Sequence, residues 1–166
     1  QKWINDTYHG ATNQMCQHEH GYKSIMGHTH PLRKSFHINE TNYYPSCEDI
    51  MLPIIQPSVK FNYILTPLGL FIASYENDRY NVPNERDVRN IHNLVCGTIN
   101  ETFFPMHTLT IEMGPDLTLE NVISMNNSNK IYYINSLCKA IEFYVNNTIQ
   151  DWDYPQGFTL KFFNFF

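Results

Sequence analysis

Gly27-His28-Thr29-His30-Pro31, followed after a polar stretch by Ser46-Cys47-Glu48-Asp49-Ile50, is the part of the chain whose reading decides the fold. Histidines at i and i+2 lie on one side of an extended strand. Pro31 has no N–H to give to a ladder, so the strand stops at His30. Ser46 is a good helix N-cap, and Asp49 stands where a capping box places its acid. A strand closing on two imidazoles and a helix opening on a carboxylate can together hold a zinc ion. Three protein ligands leave the fourth position to water, which is the catalytic arrangement. His28, His30 and Asp49 are therefore the candidate metal ligands, and Zn2+ the expected ion.

The flanking sequence supplies the rest of the fold. Residues 22–28 alternate Tyr22, Ser24 and Met26 against Lys23, Ile25 and Gly27, as a strand does. The helix opened by Ser46 runs through Ile50, Met51 and Leu52, with Pro53 and Pro57 expected to limit it. Residues 59–65 form a strand, Thr66-Pro67-Leu68-Gly69 a type I turn, and 70–75 the returning strand of a hairpin. Asn84 caps a helix over 85–96 with Val88, Ile91, Leu94 and Val95 on one face, and Gly97 ends it. Residues 108–113 alternate as a strand, and a helical segment covers 117–125. Residues 130–147 form the clearest helix, with Ile131, Ile134, Leu137, Cys138, Ile141 and Val145 as its apolar stripe. An aromatic strand follows over 158–166, and a short helix is expected near 11–18. Without regular βα alternation, this order points to an α+β domain with a single mixed β-sheet flanked by helices.

A chain of 166 residues is one domain by length, and 42% hydrophobic residues suffice for a packed core. A net charge of −5, with Arg33-Lys34 the only adjacent basic pair, argues against a nucleic-acid partner. No apolar run reaches the ~18–20 residues of a membrane span, and no signal peptide is visible. Cys16, Cys47, Cys96 and Cys138 are far apart and form no CxxC pair, which fits a reducing compartment, cytoplasmic or nuclear. Asn39-Glu40-Thr41 and Asn100-Glu101-Thr102 are glycosylation sequons of the kind that arise by chance in a chain rich in Asn and Thr.

The ordered set His28-Thr29-His30-Pro31, Ser46-x-x-Asp49 and an apolar strand ending in Thr66-Pro67-x-Gly69 resembles the JAMM (MPN+ or JAB) zinc metalloprotease family. The resemblance covers about 22–75. It implies a JAMM/MPN-like sandwich of the cytidine-deaminase-like kind, with His28, His30 and Asp49 on Zn2+. It also implies that Ser46 is catalytic, hydrogen-bonding the oxyanion formed when a metal-activated water attacks a carbonyl. The implied activity is isopeptidase or peptidase cleavage of ubiquitin or ubiquitin-like conjugates, with protein-complex subunits as further partners.

The chain departs from that pattern in two places. Pro31 to Pro45 is fifteen residues, longer than the family's usual spacing, and is read as an insertion loop. The family's general base is a Glu on an earlier element, and the only Glu before His28 is Glu19. The chain begins at Gln1 rather than Met. The expectation is therefore a single JAMM/MPN-like domain over 1–166 that lacks its N-terminal part, with the catalytic Glu upstream of Gln1 or absent.

Two other readings use the same residues. The first is a non-catalytic MPN-like scaffold or interaction module. The second is a metallophosphoesterase fragment, since Gly27-His28-Thr29-His30 also occurs late in that family; its earlier Asp-x-His and Gly-Asp motifs are absent from residues 1–26. His18-Glu19-His20 reads as incidental, and His37, His92 and His107 as surface or satisfied core residues. Cys47 reads as a bystander at the helix start, with a soft alternative ligand as its second meaning.

Overall fold

A computed structural model describes residues 24–30, 43–56, 58–76, 83–98 and 119–164. The helix expected near 11–18, the strand expected over 108–113, residues 31–42 of the insertion loop, Glu19 and Cys16 lie outside the described residues.

Among the described residues, four strands and four helices follow in the order β1 (Ser24–Thr29), α1 (Cys47–Ile55), β2 (Val59–Thr66), β3 (Gly69–Tyr75), α2 (Glu85–Thr98), α3 (Leu119–Ser124), α4 (Asn127–Asp151) and β4 (Phe158–Phe163). The strands form one sheet in the order β1-β2-β3-β4. The β1–β2 pair is parallel and the other two pairs are antiparallel, so the sheet is mixed and the class is α+β. Parallel neighbours need a crossover, and α1 lies in that connection.

Alternation sorts the sheet into two faces. Ile64 of β2, Phe71 and Ala73 of β3, and Phe158, Leu160 and Phe162 of β4 point into the core. Ile25, Leu65 and Phe163 point the other way and are exposed. The core face is covered by Ile50, Met51 and Ile54 of α1, Ile91 and Val95 of α2, and the stripe of α4.

Gly69 closes the β2–β3 turn with φ +151, a conformation that L side chains avoid. A Cβ there would also stand 2.5 Å from the Phe163 carbonyl oxygen. Thr66 Oγ1 completes the turn, accepting from Leu68 N and donating to Gly69 O, both at 3.2 Å. On α4, Asn146 ties the helix to the start of β4. Its Oδ1 accepts from Gly157 N and Phe158 N, and its Nδ2 donates to Phe158 O at 2.8 Å.

Several expectations are corrected. Pro53 does not end α1 but sits inside it, because a side chain from β2 takes over the carbonyl it leaves unpaired. Gly97 does not end α2, which runs on to Thr98. Leu94 is 52% exposed and Cys96 takes the inward place expected of it. Ile131, near the start of α4, is exposed too. The expectation of unpaired cysteines is overturned for Cys47 and Cys96, which form a disulfide across 49 residues with Cα atoms 5.4 Å apart. α1 and α2 pack so that the two thiols meet, a pairing no spacing pattern shows. The inference of a reducing compartment loses its basis with it. No described helix is long and apolar enough to cross a membrane.

Candidate metal centre

The parallel ladder sets the histidines. His28 pairs with Ile64 and Thr29 with Leu65, and His30 N donates to Leu65 O at 2.8 Å. That register holds His28 and His30 on the side of the sheet that faces the first turn of α1, while Gly27 and Thr29 point outward.

Ser46 and Asp49 form a complete capping box. Ser46 Oγ accepts from Asp49 N at 3.1 Å, and Ser46 N donates to Asp49 Oδ2 at 2.9 Å. The cap turns the Asp49 carboxylate toward β1. His28 Nε2 lies 3.1 Å from Oδ1, His30 Nε2 lies 3.1 Å from Oδ2, and the two Nε2 atoms are 3.0 Å apart. Asp49 is buried and both histidines are partly accessible. Burial by itself raises the Asp49 carboxyl, but hydrogen bonds and Coulombic attraction from His28 and His30 outweigh it. The group is held below the usual carboxylate range and is ionised at neutral pH, as a ligand must be.

These donors fit a small divalent cation. Zinc with nitrogen and oxygen ligands at ~2.0–2.1 Å has tetrahedral edges of about 3.3 Å, close to the spacings found. Without an ion, the two Nε2 atoms, 3.0 Å apart, can hydrogen-bond each other or the Asp49 carboxylate; with one, all three donor atoms can turn lone pairs to it. His30 Nδ1 is buried without a hydrogen-bond partner among the described residues. A His that gives Nε2 to a metal carries its hydrogen there and takes an outer acceptor.

One contributing residue was missed from sequence. Pro53 has no N–H, so the Asp49 carbonyl four residues earlier loses its helical partner. Asn62, fully buried on β2, donates Nδ2 to that carbonyl at 2.8 Å. The backbone of the candidate carboxylate ligand is thus anchored to the sheet. The signal in the sequence was an Asn within a largely apolar strand, together with a Pro four residues after the Asp.

A second group of donors lies on the far side of α1's first turn. Glu48, His92 and Cys96 have ligand atoms all within 4.8 Å of one another. His92, read from sequence as a surface or core residue, is half-buried there with Nε2 3.7 Å from Glu48 Oε1.

Comparison with family models, curated proteins and solved structures found no match.

Proposed function

We propose that this domain is a zinc-dependent isopeptidase or peptidase of JAMM/MPN type, acting on ubiquitin or ubiquitin-like conjugates. The observation that carries the reading is the convergence of His28, His30 and Asp49, from two segments far apart in sequence, at 3.0–3.1 Å. His28 Nε2, His30 Nε2 and an Asp49 oxygen would hold the ion. Bound there, zinc would supply an acidified water and polarisation of a carbonyl.

The chain's own residues do the rest. Asp49 is kept ionised and aimed by its cap. Ser46 Oγ spends a lone pair on Asp49 N and keeps its hydrogen, which it would donate to the oxygen that becomes negative during carbonyl attack. No residue of this chain is assigned the role of general base. The capping box also favours a second reading, because Ser46 and Asp49 have a structural purpose with or without turnover. In that reading the domain keeps the metal and serves as an MPN-like binding module within a protein complex.

Zinc content and cleavage together test both. The wild type should bind one zinc at this centre and cleave ubiquitin chains or a ubiquitin conjugate, and His28→Ala or a chelator should abolish both. Zinc binding that needs His28, without cleavage, supports the module. Cleavage undiminished in His28→Ala refutes the zinc mechanism.

A further inference from the structure

The second donor group is built from two helices. Cys47 and Glu48 are the first two residues of α1. His92 and Cys96 stand at i and i+4 on α2, hence on one face of it. The packing of α1 against α2 brings all four side chains to one spot. Glu48 and His92 reach solvent, whereas both cysteines are buried. An ion therefore has an approach through the polar pair and a sulfur floor beneath it.

We infer that reduction of the Cys47–Cys96 disulfide creates a second zinc site, with Cys47, Cys96, His92 and Glu48 as its ligands. Four protein ligands close the coordination shell, so this is a structural site rather than one open to substrate. The chemistry balances with a dithiol as reductant. The S–S bond breaks, each sulfur gains one electron and one proton, and the dithiol leaves as its own disulfide. Binding of Zn2+ then displaces the two thiol protons to solvent. Zinc–thiolate bonds of ~2.3 Å put two ligating sulfurs about 3.8 Å apart. Cysteines whose Cα atoms are 5.4 Å apart reach that separation by rotating their side chains, without moving either helix.

The disulfide and the ion are alternative clasps on one helix pair: the oxidised protein uses the first and the reduced protein the second. Both hold the turn of α1 that carries Asp49, so the turn keeps its place in either redox state. This inference is independent of the zinc reading for His28, His30 and Asp49.

Co2+ distinguishes the two centres, because a thiolate ligand gives an intense near-ultraviolet charge-transfer band and an imidazole–carboxylate set does not. The full chain is reduced with a phosphine under anaerobic conditions, desalted and titrated with Co2+, beside the oxidised protein. The reduced protein should develop the thiolate band and saturate at one more Co2+ per chain than the oxidised protein, which should show no band. His92→Ala should weaken cobalt binding at this centre at least tenfold, with His92→Gln as a second, more conservative change. Cys47→Ser/Cys96→Ser, which removes both thiolates, should abolish the band, and His28→Ala should leave it unaltered. Four results would each overturn the inference: no band on reduction, a band unaffected in both His92 variants, a band retained in Cys47→Ser/Cys96→Ser, or loss of the helical circular dichroism signal before metal is added.

Discussion

Ser46 has a capping role and, in the proposed mechanism, a catalytic one, and one substitution can separate the two. As an N-cap it satisfies Asp49 N, and replacement by Ala costs about 1 kcal/mol at such positions whereas Gly costs only a few tenths. As a hydroxyl donor it has no replacement. Ser46→Gly is therefore expected to leave the urea midpoint nearly unchanged while lowering kcat by roughly 100-fold, the loss typical of a missing oxyanion donor. A fall in stability with no change in kcat would leave Ser46 as a cap alone. The pairing of Ser46 with Asp49 was legible from the residues, because a capping box is a local device with a fixed spacing. The contact of Asp49 with both histidines was not local. It was reached only through a resemblance and through the chemistry of the side chains.

At the scale of elements, α1 is the piece on which both donor groups depend. Its Pro53 leaves a gap in the helical ladder that Asn62 of β2 fills, so helix and strand share one hydrogen bond at the ligand. Asn62→Ala should cost about 1–3 kcal/mol by orphaning a buried carbonyl, and should weaken zinc binding as Asp49 loses its anchor. Pro53→Ala restores a backbone N–H at the required position. The cost of Asn62→Ala should therefore shrink in the Pro53→Ala background, by urea unfolding of the four proteins of the double-mutant cycle. Equal costs in both backgrounds would separate the two residues. The disulfide pins the same helix from its other side, and closing a loop of this length is worth about 4 kcal/mol on chain-entropy grounds. Neither tie was visible beforehand. The effect of Pro53 depends on what faces it, and the cysteine pairing depends on how two helices pack.

For the whole molecule, the core decides the response to alkali. Burial raises the Tyr75 and Tyr133 hydroxyls from 10.0 to about 12 and the Cys138 thiol from 9.0 to about 12, and pushes Tyr44 up further still. A group whose folded value is raised contributes stability that is complete below its unfolded value and is lost as pH climbs toward the folded one. Urea midpoints should thus hold to about pH 9 and fall steadily from there toward pH 12; a flat profile would mean that these groups remain hydrated in the fold. The same core explains what could be read in advance. The hairpin at 59–75 and the long helix α4 have strong periodicity and clear punctuation, and both are found near the expected bounds. The sheet order, and the parallel placement of β1, come from long-range packing that periodicity does not encode.

That parallel placement has a consequence for exchange of backbone hydrogens. Among the described strands, β1 is held by β2 alone, yet it carries both imidazoles that meet Asp49. An ion shared between strand and helix would act as a second fastening on the edge of the sheet. Local opening of that edge would then cost the binding energy of the ion as well as the ladder bonds. The amides of Ile25 to Thr29 should exchange with deuterium more slowly in saturating zinc than in chelator, while those at the centre of α4 stay unchanged. Occupancy of the centre could then be followed through the backbone, with no substrate in the tube.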